Sequence, residues 1–283
     1  CLGRGGSDYT AALAAAALDA ERLEIWTDVD GIFTADPRAV PAARPLAAMS
    51  FEEAMELAYF GAKVLHPKTI APVRSAGIPV RIANSLRPEA AGTWVGRRSA
   101  PGNGAVRGLS YLRDVALLDL SGPGMPGVPG IAARAFGALA RHGISLILIT
   151  QGSAECAISF CVRRLDADPA IAALCAEFAA ERESGRVDEI GVRRELVVLS
   201  AVGDGMRHRV GVAGAFFDAL AAAGANVMAI AQGSSERSIS AVLEEVAGPG
   251  ALRAAHRRFC EHPAARPAPP VNESPSEPSW RIF

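Results

Sequence analysis

Apolar positions along this chain fall on two alternating periods. Residues 9–20 are nearly all Ala, Leu and Thr, which predicts a helix, and the alternating, β-branched and aromatic run 23–29 predicts a strand. From Ser50 the spacing Ser50-x-x-Glu53 is a capping box, and Phe51, Ala54, Met55, Leu57 and Ala58 give one apolar face to a helix ending near Gly61. A second helix over 67–76 and a strand over 79–82 follow. Helices and strands joined by short connections make an α/β rhythm, an open sheet with helices packed on it.

Beyond a polar, Gly-rich stretch at 96–105, read as a linker, the chain repeats itself. Gly122-x-Gly124-Met125 returns as Gly203-x-Gly205-Met206, Phe136 as Phe217, Gly143 as Gly224, and Gln151-Gly152-Ser153-x-Glu155 as Gln232-Gly233-Ser234-x-Glu236. Every pair is 81 residues apart, as 125 is from 206, so no gap is needed. The first copy reads strand 115–120, helix 131–142, strand 145–150, strand 157–162 and helix 168–183. The second reads strand 196–201, helix 212–223, strand 226–231 and strand 238–243. This is a ferredoxin-like unit, and two of them are expected to pack on each other or on another subunit. The boundaries that follow are 1–95, 96–105, 106–190, 191–248 and a Pro-rich, disordered tail over 249–283.

Composition narrows the function. Half of the 283 residues are hydrophobic and the formal net charge is −1, which argues against a nucleic-acid binder. No apolar run is long enough to span a bilayer, and no signal peptide opens the chain, so a soluble, cytoplasmic protein is expected. Five cysteines without a C-x-x-C pair fit a reducing compartment and core thiols. The five histidines share no metal or triad spacing, so no metal site is expected.

The candidate chemistry begins at Gly3-Arg4-Gly5-Gly6-Ser7-Asp8, a Gly-rich loop feeding a helix with Ser7 or Asp8 as N-cap. Unpaired N–H groups at such an end and the forked donor of Arg4 suit a carboxylate or phosphate. A plain structural turn reads equally well there. Thr27-Asp28 ends a strand where open α/β sheets place ligands, while Arg38 and Lys63 are cations for a nucleotide or simply for water. In the repeat, the loops 122–130 and 203–211 precede helices and could hold a small zwitterion, with Gln151 or Gln232 bonding its side chain. Paired domains that serve only dimerisation are the alternative.

The motifs 2–12, Ile25-Trp26-Thr27-Asp28-Val29-Asp30-Gly31-Ile32, Asp36-Pro37-Arg38 and Phe60-Gly61-Ala62-Lys63-Val64-Leu65-His66-Pro67 resemble the aspartate kinases. The repeat resembles that family's paired ACT domains, and its Gln-Gly-Ser runs resemble the bifunctional aspartate kinase-homoserine dehydrogenases. The resemblance implies the carboxyl-terminal part of an amino-acid-kinase-type sheet at 1–95 and two βαββαβ ACT domains after it. It implies phosphoryl transfer from MgATP, a co-substrate, to the side chain of L-aspartate. Arg4, Ser7 and Asp8 would line the aspartate site, with Ser7 and Asp8 at its reacting end. Thr27, Asp28, Phe33, Arg38 and Lys63 would line the nucleotide site, Phe33 standing where many members carry Tyr. L-Threonine is the expected effector at Gln151 and Gln232, with lysine as runner-up, and a homo-oligomer through the ACT domains is expected. The family's amino-terminal Lys-Phe-Gly-Gly motif and its early substrate-binding Glu are absent from these 283 residues. The chain by itself is therefore expected to lack kinase activity, and a catalytically inactive amino-acid-sensing module is the alternative.

Overall fold

The computed structural model describes residues 5–59, 67–97, 104–152 and 157–261. The chain opens with α1 (Gly6–Ala17) and β1 (Leu23–Thr27), followed by β2 (Ala48–Ser50), α2 (Phe51–Tyr59), α3 (Pro67–Ala76), β3 (Val80–Asn84) and β4 (Thr93–Gly96). These strands form one sheet in the order β1-β3-β4-β2, with β1 parallel to β3, β3 antiparallel to β4, and β4 parallel to β2. Its core joins Ala12 and Ala15 of α1 to Ile25, Val80, Ile82 and Val95 of the strands, and to Leu57, Ile70 and Val73 of α2 and α3. The Ala-rich composition of α1 lets it lie close to its neighbours. Ser50 and Glu53 cap α2 reciprocally, each backbone N–H donating to the other side chain, at 3.0 and 3.1 Å.

The repeat begins with the long strand β5 (Gly108–Ser121) and continues through α4 (Ile131–Arg141), β6 (Leu148–Gln151), β7 (Ala157–Arg163), α5 (Ala167–Glu177) and α6 (Ala179–Glu183). Its second copy comprises β8 (Gly191–Val202), α7 (Val212–Ala222), β9 (Val227–Gln232), β10 (Ser238–Glu244) and α8 (Gly248–His256). A π-helical turn, Arg257–Glu261, extends α8. The six strands form one sheet in the order β6-β7-β5-β8-β10-β9. A local two-fold axis runs between β5 and β8, where Val115 pairs with its own repeat mate Leu196.

Each ferredoxin-like unit takes its fourth strand from the other copy. Residues 115–121 of β5 pair with β7, and with the start of β8 at 191–196. Residues 108–112 of β5 pair with the far half of β8, which in turn pairs with β10. The expected chain boundary between 190 and 191 falls at the start of β8, but β5 and β8 each serve both units, so it does not part them in space. The crossover sits at Asp114 and Glu195, repeat mates with φ of 58° and 57°, where the register shifts. Residues on the face between the copies are repeat mates too: Val115 and Leu196, Leu117 and Val198, Leu148 and Ala229, Cys161 and Val242 form one buried cluster. The edge strands β6 and β9 lie against each other, so the sheet curls around that cluster.

Two more expectations change. Residues 249–261, placed in a disordered tail, are helical, and Ala251, Leu252, Ala255, Phe259 and Cys260 are buried in the second copy's core. Spacings of three and four residues on one face explain the burial. The expected linker 96–105 is not all linker: Gly96 closes β4, and Ala105 is buried. Ala105 and Val106 back the second copy's loop so closely that a Cβ on Gly203 would stand 2.4 Å from the Ala105 carbonyl oxygen. Gly122 meets Arg186, the repeat mate of Ala105, at the same distance, so both glycines are required by close backbone approach.

Candidate functional site

The parallel pair β1 and β3 brings its carboxyl ends together beside the loop that follows β1. Thr27 lies there half-buried, with its hydroxyl 3.1 Å from the Asp28 carboxylate, while its carbonyl accepts both the Ser85 N–H and the Ser85 hydroxyl. Asp30 accepts from the Asn84 amide at 2.7 Å and pairs with Arg87. Asp28 is exposed. An exposed carboxylate beside a hydroxyl, at the carboxyl ends of parallel strands, matches where such sheets bind ligands.

Ser7 and Asp8 sit in the first turn of α1, but neither caps it. The N-cap is Gly5, left-handed at φ 74°, and the Ser7 hydroxyl instead donates to Asp8 at 3.3 Å. The capping expectation fails because the helix starts at Gly6, earlier than the Ala-rich run alone predicts. Arg4 and Lys63 lie outside the described residues. Phe33 is half-buried and bridges to Pro45. Arg38 is engaged: its Nε and Nη2 hold Asp36 bidentately at 3.0 and 2.7 Å, and its guanidinium pKa is raised chiefly by that bond. A phosphate on Arg38 would have to replace the Asp36 carboxylate.

In the repeat, Gln151 ends β6 and Gln232 ends β9, each paired to the matching isoleucine, Ile158 or Ile239. Both glutamines are exposed. Gln151 borders a cavity of about 320 Å³, with Met125 and Val128 of the loop, Gly130 and Ile131 at the start of α4, and Ile158. The N-cap Gly130 has φ 90° and makes no side-chain cap bond, so N–H groups of the first turn face this end without a capping oxygen. One amide side chain, free amide protons and apolar walls suit a small amino acid, whose carboxylate the helix start would take. Among the described residues no cluster of three or more His, Cys, Asp or Glu stands ready for a metal ion, and no helix is long and apolar enough to cross a membrane.

Sequence reasoning missed what joins the two parts. The Glu53 carboxylate, fully buried, spends one oxygen on the capping box and the other on the Asp204 N–H, at 2.8 Å, in the second copy's Gly-rich loop. Glu56 takes the Ser238 hydroxyl at 2.8 Å. Ala35 and Val40, from the loop carrying Phe33 and Arg38, lie in the same buried cluster as Phe216, Leu220 and Leu252 of the second copy. The capping box was visible in the sequence; the second acceptor on the same carboxylate was not.

These features define an amino-acid-kinase segment joined to a pair of regulatory domains. The Amino acid kinase family model matches residues 1–84, and the ACT domain model matches 118–178 and 199–259. The bifunctional aspartokinase/homoserine dehydrogenase of Haemophilus influenzae is 49% identical over 256 residues, which is 90% of this chain and 31% of that protein. Escherichia coli aspartokinase III, in complex with aspartate and ADP in its R-state, is similar at 35% identity and a TM-score of 0.78, covering 91% of this chain and 56% of that one. The same enzyme with lysine and aspartate in its T-state gives 34% and 0.75, over 91% and 56%. The chain belongs to the aspartate kinase family and corresponds to the carboxyl-terminal part of the kinase domain with two ACT domains. It spans about a third of the length of the bifunctional relative.

Proposed function

We propose that the chain is the effector-binding portion of an aspartate kinase, which phosphorylates the side-chain carboxylate of L-aspartate from MgATP and is inhibited by L-threonine. The observation that carries this reading over a stand-alone sensor is the shared core. Ala35 and Val40, from the expected nucleotide loop, are buried with the second ACT copy, a contact for which a sensor without a kinase has no use. Phosphoryl transfer asks a protein for positioning and positive charge more than for covalent chemistry. Ser7 and Asp8, with Arg4, would hold aspartate at the start of α1. Thr27, Asp28, Phe33, Arg38 and Lys63 would line the nucleotide site, Arg38 exchanging Asp36 for phosphate.

L-Threonine fits the Gln151 cavity by its chemistry: its carboxylate meets the start of α4, its hydroxyl meets the Gln151 amide, and its methyl meets Ile131 or Ile158. Gln232 is the equivalent group in the second copy. Lysine is the second reading, favoured by the lysine complex of the related aspartokinase III. A ligand bound only to the folded chain raises its melting temperature. L-Threonine should do so, and the double variant Gln151→Ala/Gln232→Ala should lose the shift. A shift with L-lysine and none with L-threonine would reverse the assignment. Because the chain contains no Lys-Phe-Gly-Gly motif, we expect no aspartyl phosphate from it alone, and detectable product by hydroxamate trapping would refute that.

A further inference from the structure

His256, at the end of α8, is completely buried and joins the two parts of the molecule by a continuous polar chain. Its Nε2 lies 2.9 Å from the Thr34 hydroxyl, and its Nδ1 lies 2.8 Å from the Glu261 carboxylate. The partners fix the direction of the bonds. Glu261 only accepts, so Nδ1 carries the proton and donates to it. In the neutral ring Nε2 is then the acceptor, and the Thr34 hydroxyl, which itself accepts the Arg44 N–H at 3.0 Å, donates its proton to it. The remaining backbone of Thr34 is held as well: its carbonyl takes the Leu109 N–H at 2.7 Å and its N–H donates to the Arg44 carbonyl at 2.9 Å. Arg44 in turn donates through its guanidinium to the Cys260 carbonyl.

Hydroxyl, imidazole and carboxylate in this order resemble a nucleophile, base and acid. Thr34 is only 6% exposed and His256 not at all, so no substrate reaches the hydroxyl. The chain positions rather than reacts. Thr34 stands between Phe33 and the turn carrying Asp36 and Arg38, so whatever holds Thr34 sets where the nucleotide loop lies. We propose that His256 is a positioning residue for that loop. Through Thr34 it ties the loop to the last helix of the second ACT copy, and a change in the repeat reaches the nucleotide site along this tie. The inference rests on the reading of residues 33–38 as a nucleotide loop. A buried hydrogen-bonded element that both sites can bias is the physical warrant for coupling, and spatial intermediacy alone is not.

Hydrogen exchange of the amides at 33–38, measured on the 283-residue chain without any ligand, tests the tie. Thr34→Val removes the hydroxyl at nearly constant volume, and His256→Gln removes the ring. Each should speed exchange across 33–38 about tenfold. The double variant should exchange no faster than Thr34→Val, which already removes the bond to His256 together with the acceptor of the Arg44 N–H. Thr34→Ser, which keeps the hydroxyl, should exchange like the parent. Unchanged exchange in Thr34→Val, additive effects in the double variant, or a Thr34→Ser that behaves like Thr34→Val would overturn the proposal. If Thr34→Val does not fold, the ring nitrogens of the parent decide by ¹⁵N NMR: a proton on Nδ1 and none on Nε2 supports the tie, and the opposite tautomer contradicts it. The thermal shift with L-threonine should persist in Thr34→Val, since the Gln151 cavity is untouched. Its absence from the parent chain would count against the proposed effector and not against the tie.

Discussion

The two copies of the repeat share a backbone and divide their surfaces. In the first, α4 and α5 are bound by ion pairs: Arg134 holds Glu177 and Glu181 at 3.0 and 2.5 Å, Arg141 reaches Glu177 at 2.6 Å, and the Gln151 cavity opens beside α4. In the second, the equivalents of Arg134 and Glu177 are Ala215 and Arg258, and the buried cluster around α7 and α8 takes in Ala35 and Val40 of the kinase segment. The first copy keeps an opening lined by apolar side chains and Gln151, while the second docks on the kinase segment. A duplicated fold can therefore leave one helical face open and bury the other against a neighbour without changing its topology.

The cores test this equivalence most severely. Ala135 and Phe160 of the first copy stand where the second has Phe216 and Ala241, so large and small residues have changed places within an otherwise matched core. Phe160 is fully buried and meets Phe136 edge to face with ring centroids 6.1 Å apart; Phe216 meets Phe217, the mate of Phe136, at 5.5 Å. Phe160→Ala alone should cost about 3–5 kcal/mol of unfolding free energy in a urea titration. Adding Ala135→Phe should return much of that loss, because it reproduces the arrangement of the second copy. Independent, additive penalties would show that the two cores are not interchangeable solutions.

The docking of the second copy comes next in size. Glu53→Ala removes a fully buried acceptor and leaves the Asp204 N–H and the Ser50 N–H without the carboxylate that now receives them. A loss of about 3 kcal/mol is expected, with exchange at Asp204 accelerated and exchange across α4 unchanged. Acceleration spread evenly over both copies would contradict the division between them.

The ion pairs of the first copy give the smallest effect. Arg134 holds Glu177 and Glu181 below the ordinary carboxylate range, with Arg141 adding to the first. Folded-state values depressed in this way contribute stability that is complete above the ordinary value of 4.5 and is lost as pH falls through the folded values. Exchange over 167–183 should therefore rise below about pH 4.5 relative to 248–261, and Arg134→Ala should abolish that difference.

The sequence made the repeat legible to the residue, since an ungapped offset leaves no freedom in matching elements. It also placed α3 at 67–76 and the strands β7 and β10 within one residue. The exchange of fourth strands stayed hidden for a local reason. Arg113-Asp114 and Arg194-Glu195 interrupt the apolar alternation of β5 and β8, so each strand was read as starting after its polar pair. α8 was hidden by two glycines and a proline at 248–250, although the offset from α5 points to a helix there. At the candidate site, the places of Gln151 and Thr27 at strand ends are readable from periodicity. His256 and Thr34 were not, because a contact across 222 residues leaves no trace in local pattern.

Hydrogen exchange of the parent chain across an L-threonine titration tests most directly whether the copies divide sensing from docking. The account predicts saturable protection centred on 125–132 and on Gln151, with a smaller change at 33–38. Protection confined to 206–213, or none anywhere in the repeat, would contradict it.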